Sequence, residues 1–252
     1  MSDDRSIDEN SVAKQIFELA KQVAEQSTTD EHFRAIQALL QVANQIFVGI
    51  YRMVTDQNGL AAESLLRTLF EAAINGIILA KHKELLNDFI RHGQFTHLRL
   101  LRFTNINFAK EKIVALLQAT DEDWQKLFAE FKHAEWHKLK TTDSFSEAEM
   151  AAELYDKYFR RASAFAHAEP YVVVRKTDET WKNWAVEARS DLWKWSSEGA
   201  TIHAYFVMCH LLAIISREFK LGLEEELGNL RPQLDGLSAK LAKASQSALD
   251  AF

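Results

Sequence analysis

Proline and glycine are scarce in this chain, at two and eight among 252 residues. A β-sandwich or a doubly wound α/β fold needs many turns built on those residues, so the scarcity predicts long helices joined by short connections. Cysteine is scarcer still. Cys209 stands alone, which excludes an intrachain disulfide and fits a reducing compartment. Positive charge is not in excess: the net charge is −6, which opposes generic attraction to nucleic acid or membrane surfaces but leaves room for a local basic patch. Uninterrupted apolar stretches are short. Ala204–Ile215, interrupted by His210, and Ala72–Ala80 both fall below the roughly 20 residues that span a bilayer. The first ten residues are acidic and polar, unlike a signal or transit peptide. Together these absences predict a cytoplasmic protein without membrane association. Also missing are a glycine-rich phosphate loop, a dinucleotide fingerprint, a cysteine-based zinc framework and a nucleophile elbow, so no cofactor is expected.

What is present is helical periodicity. Hydrophobic residues make up 47% of the chain and charged residues 26%, ordinary globular values. The length suffices for a core without metal or disulfide staples. Val12, Ile16, Leu19, Ala20 and Val23 recur at spacings of three and four. Thr29 or Asp30 can cap a second helix bearing Phe33, Ile36, Leu40, Ala43, Phe47 and Ile50. Asn58-Gly59 ends it, both residues tolerating the left-handed backbone of a helix terminus. A third helix, about Leu60 to His82, has too wide an apolar stripe for a surface helix and is predicted to be central. Further helices are expected over Glu84–Phe108, Lys110–Leu117 and, opened by Thr120, Asp121 and Asp123, as far as Trp136. Ser146-x-x-Glu149 reads as a capping box opening a helix that ends near His167 before Pro170. Tyr171–Arg175 and Trp181–Val186 suggest a small β-hairpin, and a long apolar helix follows from Glu198 to Leu221. The expected fold is all-α, a single-domain bundle of about seven to nine helices. Residues 1–10 are expected to be a disordered N-terminus, 11–230 the bundle, and 231–252 a C-terminal amphipathic tail or helix.

Three features bear on chemistry. Glu63, Arg67, Glu71 and Asn75 form a polar row on the third helix. If exposed, the row is i,i+4 pairing worth about 0.2–0.5 kcal/mol per pair; if it faces the bundle interior, Arg67 and Glu71 are a desolvated pair of the kind that lines clefts. Arg160, Ser163 and His167 share one helix face, with Arg161 roughly 120° away from His167. An arginine holds a phosphate bidentately, and a histidine near neutrality moves a proton; together they are the minimum for metal-free RNA cleavage. Lys81 to Lys112 carries seven basic and three acidic residues, hence +4, with His82, His92 and His97 added. A phosphate-binding face has this composition; so does an exposed helix paired with acidic neighbours. The paired histidines His133 and His137, and His203 and His210, read as ordinary packed or surface residues, not metal ligands. Cys209 reads as an inert core thiol. The tryptophans of the second half suit packing or a subunit interface better than base stacking.

Two segments resemble an uncharacterised bacterial helical family, domain of unknown function 5677. They are Leu65-Leu-Arg67-Thr-Leu-Phe-Glu71-Ala-Ala-Ile-Asn75, and Trp136 through Tyr155 and Tyr158 to Ser163-x-x-x-His167. Where that family would carry a tyrosine four residues before the serine, this chain has Phe159. The Arg-x(4–6)-His spacing, met by both Arg160 (six intervening residues) and Arg161 (five), also resembles the HEPN superfamily of helical proteins, many of them metal-independent ribonucleases of toxin and antiphage systems. That resemblance implies a homodimer in which paired Arg and His sets face each other. It also implies RNA as partner, Arg160 or Arg161 holding the scissile phosphate, His167 as general acid or base, and Tyr158, Ser163, Arg67 and Glu71 as orienting groups. The alternative is a non-enzymatic helical module that binds a protein partner or small ligand.

Overall fold

A computed structural model describes residues 9–56, 58–104, 121–131, 136–150, 159–160 and 190–249. Among the described residues there are eight α-helices and no strand. In chain order they are α1 (Glu9–Ala24), α2 (Glu31–Thr55), α3 (Gly59–Lys81), α4 (Leu86–Thr104), α5 (Asp121–Phe131), α6 (Thr141–Glu147), α7 (Ser190–Phe219) and α8 (Glu224–Leu249). A single 3₁₀ turn, Lys83–Leu85, joins α3 to α4. The all-α bundle is as expected. The helices proposed over Lys110–Leu117 and as far as His167, and the hairpin near 171–186, lie largely or wholly outside the described residues.

The periodic stripes are the buried ones. Val12, Ile16, Leu19, Ala20 and Val23 of α1 are all in the core, as are Phe33, Ile36, Leu40, Ala43, Phe47 and Ile50 of α2. Asp30 caps α2, its carboxylate accepting from the His32 amide at 2.9 Å. Asn58 does separate α2 from α3, but by another route than expected. Its φ is −96°, and its side chain accepts from the Ala61 amide, so it is the N-cap of α3 and no left-handed residue is needed.

α3 is central, packed most extensively against α2 and α7. α2 runs antiparallel to α3, since His32 reaches the end of α3 while Gly49 faces Leu65. α7 runs parallel to α3 and antiparallel to α2: Gly76 faces Leu211, and Phe33 stacks on Phe219. The approach at Gly76 is close. A Cβ there would stand 3.1 Å from Leu211 Cδ1, so glycine is what lets α3 and α7 meet. α7 starts at Ser190, eight residues before the position expected, and is buried on most sides, as its all-round apolar character requires. α8 runs through the boundary expected at 230/231, with Leu230, Leu234 and Leu237 in the core. By length and composition, Glu31–Thr55 and Glu198–Phe219 are each apolar enough to cross a bilayer, although neither contains a long uninterrupted apolar run. Inner helices of a bundle meet the same criterion, and 72% of the second window is buried among its neighbours.

α4 pairs with α5 beside this core. Arg91 holds Glu130 through two hydrogen bonds, 3.2 and 2.6 Å, and Phe95 and His92 pack on Phe131. α5 ends at Phe131, and Trp136, expected to close that helix, lies in a turn.

Candidate functional site

The polar row of α3 is graded along its length. Glu63 is buried, Arg67 is half-buried and Glu71 is exposed. Arg67 Nε and one terminal guanidinium nitrogen both reach Glu71 Oε1 at 3.1 Å. The pair is therefore neither a solvated surface bridge nor a fully desolvated one. Asn75, at the far end, accepts a hydrogen bond of 3.1 Å from Trp136 Nε1, whose ring is almost wholly buried. Trp136 meets Phe89 edge-on at 5.2 Å, so the row helps to seat α4 and the 136–140 segment on α3.

Phe159 locates the second candidate segment relative to the first. Its ring packs against Phe70 and Phe145, at 6.2 and 5.1 Å between centroids, and the Arg67 guanidinium lies 6.0 Å from its centre. A cation over an aromatic face is favourable by about 0.5–1 kcal/mol at an exposed site. The departure from the expected tyrosine has a physical reading here, because the ring sits in an aromatic stack and is buried. Arg160, the next residue, is helical and exposed. Arg161, His167, Tyr158 and Ser163 lie outside the described residues. The structure thus brings Arg67, Glu71 and the Phe159–Arg160 pair to one region.

Ser146 and Glu149 do not form a capping box. They sit at the C-terminal end of α6, which closes at Glu147. The Met150 amide donates to Phe145 O at 3.0 Å and the Glu149 amide to Ser146 O at 3.0 Å, with Glu149 at φ +55°. This is the 6→1 and 5→2 bonding of a Schellman ending, in which the left-handed position usually carries glycine. Glutamate there is strained by about 1–2 kcal/mol, and basic residues from two other helices hold it. Arg217 of α7 grips its carboxylate with two bonds, 2.7 and 3.0 Å, and Lys81 of α3 lies at 3.2 Å. The Arg217 guanidinium above all holds the Glu149 carboxyl down at about 2.

Four basic side chains converge on this helix end, where unpaired carbonyls concentrate negative potential. Lys81 Nζ donates to Glu147 O at 2.6 Å, and His210 Nε2 to Ala148 O at 2.8 Å. His82 Nε2 lies 2.8 Å from Glu147 Oε1 and its Nδ1 lies 3.0 Å from Glu84 Oε1. Hydrogen bonding to Glu147, against a smaller opposing effect of burial, raises the His82 pKa above its ordinary value. This cluster was invisible in the sequence apart from the basic character of Lys81 and His82, because its directly bonded partners are up to 68 residues apart.

The remaining candidates have structural occupations. His137 Nδ1 accepts from the Leu139 amide at 3.1 Å, and His133 lies outside the described residues. Among the described residues no group of three or more His, Cys, Asp or Glu is arranged to hold a metal ion. Burial pushes the Cys209 thiol up to about 12. Within the basic segment, Lys81, Lys83 and Arg91 each face a carboxylate, of Glu147 and Glu149, Asp30 and Glu130 respectively, whereas Arg99 is exposed.

Comparison with known proteins bears on this site through one match. No curated protein and no solved structure matches the chain. Residues 33–180 match a family of unknown function, DUF5677, a span that includes the α3 polar row, Phe159 and Arg160, and the Arg–His segment. With more than half of its length matched, the chain belongs to this family of unknown function.

Proposed function

We propose that this chain is a HEPN-like RNA-binding or metal-independent RNA-cleaving protein of a bacterial defence or toxin system, working in the cytoplasm as a homodimer. The observation that carries the reading is the setting of Arg160. It is exposed, yet the preceding residue is locked into the Phe70–Phe145–Phe159 stack beside Arg67. An anchored backbone beneath the arginine sets where its guanidinium can reach, and the planar fork can hold a phosphate bidentately, which is what positioning a scissile group requires.

In this reading Arg160 or Arg161 holds the phosphate and His167 moves the proton. A ribose 2′-oxygen bonds to the adjacent phosphorus as its proton leaves, the bond to the 5′-oxygen breaks, and that oxygen takes up a proton. The products are a cyclic phosphate and a 5′-hydroxyl. Arg67, Glu71, Tyr158 and Ser163 orient these groups.

A second reading has support of its own. Most described charged groups near the site face one another, across elements in Lys81–Glu147 and Arg217–Glu149 and along α3 in Arg67–Glu71. That arrangement suits a non-enzymatic module binding a protein partner or small ligand. The two readings separate on purified full-length protein incubated with varied single-stranded RNAs in chelator. Cleavage that persists in chelator and disappears in His167→Ala, at unchanged melting temperature, supports the ribonuclease. Inactivity of the wild type on all RNAs, with no binding, overturns it in favour of the module, and cleavage abolished by chelator overturns the metal-free chemistry.

A further inference from the structure

We propose that His82 is a proton-operated joint: its imidazolium ties the start of the α4 layer to the end of α6, and loss of its proton releases the α4 side. The geometry requires two donors. Nδ1 faces Glu84 Oε1 at 3.0 Å and Nε2 faces Glu147 Oε1 at 2.8 Å. An ionised carboxylate only accepts, and a neutral imidazole carries a single N–H. Both contacts are hydrogen bonds only in the doubly protonated ring. When the proton leaves, one nitrogen presents a lone pair to a carboxylate.

The contact that yields is the one to Glu84. Its side chain is 70% exposed against 36% for Glu147, and its distance is the longer. The remaining N–H stays on Nε2, toward Glu147. Glu84 lies in the Lys83–Leu85 turn from which α4 departs, so the turn loses its tie to α6 while the α3–α6 contact persists, further held by Lys81.

The charged and titratable groups around His82 come from every element packed against it, among them His210 of α7, which bonds Ala148 O at 2.8 Å. On its own helix Lys81 shares Glu147, and its pKa is raised. Beside it Lys83 faces Asp30, at the start of α2. From α2, His32 bonds the Leu79 carbonyl with Nε2. From α6 and its turn come Glu147 and Glu149, and from α7 Arg217, which takes Glu149. Both glutamates touching His82 are held below the ordinary carboxylate range, so they remain ionised at neutral pH. A histidine whose folded pKa is raised stabilises fully below about 6.5, and the contribution is lost as pH rises through the folded value.

The inference does not depend on RNA chemistry, and its test does not use it. In the full-length protein, the His82 ring is followed by NMR as pH rises from 5.5 to 9, with amide exchange at Leu85 and Leu86 in the adjoining turn. The His82 midpoint is expected above 6.5, falling in both Glu147→Gln and Glu84→Gln. Beyond the intrinsic base-catalysed increase, exchange at Leu85 and Leu86 is expected to accelerate about two- to five-fold across that midpoint, the size of one exposed ion pair. The step is expected to vanish in His82→Gln, whose amide does not titrate in this range. A midpoint at or below 6.5, no step at the turn, or a step that survives in His82→Gln overturns the proposal.

Discussion

Asn75 offers a direct way to ask whether the α3 polar row serves the fold. Its Oδ1 accepts the indole N–H of Trp136 at 3.1 Å, and Trp136 is 2% exposed. Asn75→Ala therefore leaves a buried donor without this partner, at a cost of about 1–3 kcal/mol. Against that, alanine is the better helix former in the interior of α3 by roughly 0.5 kcal/mol. The net expectation is a loss of about 0.5–2.5 kcal/mol. In a Trp136→Phe background there is no donor to orphan, and the same substitution should be neutral or stabilising by up to about 0.5 kcal/mol.

The sign change between backgrounds is the diagnostic quantity. Urea unfolding followed by far-UV circular dichroism gives the four stabilities of the cycle, with the urea dependence compared across variants to confirm that the same surface unfolds. A coupling of about 1 kcal/mol or more is expected for residues in direct contact. If Asn75→Ala costs the same in both backgrounds to within about 0.5 kcal/mol, Asn75 and Trp136 are energetically independent and the structural reading of this end of the row is wrong.

Two further outcomes follow from titrating groups. Glu149, held at about 2 chiefly by Arg217, contributes stability that is present above its ordinary value near 4.5 and lost as pH falls from there through about 2. Its side chain is 40% exposed, so screening reduces the contribution to roughly 1 kcal/mol; Glu149→Gln should remove that part of the acid-induced loss between those limits, and an unchanged acid profile would contradict the bridge. The Cys209 thiol, pushed up to about 12 by burial, should resist iodoacetamide at pH 8 in the folded protein and react once urea unfolds it, because the thiolate is the nucleophile. Stoichiometric alkylation of the native protein would refute that.

The helices were legible because helical burial is a local pattern. The α2 stripe from Phe33 to Ile50 is recorded in spacings of three and four, whatever lies opposite. Ser146 and Glu149 were misread for the same reason, since locality is all that a short motif contains. A serine and a glutamate three apart occupy N-cap and N3 of one helix, or the penultimate turn and left-handed residue of another. What decides between them is the arrival of Arg217 and Lys81, neither of which is near in sequence.

Charge shows the same limit more consequentially. Counted along the chain, Lys81 to Lys112 is the basic stretch of an acidic protein and resembles a phosphate-binding face. In three dimensions Lys81 and Arg91 are each matched by a carboxylate from 39 to 68 residues further on, and Lys83 by Asp30, the cap of α2. Counting charges along a helix measures potential only if nothing of opposite sign packs across it.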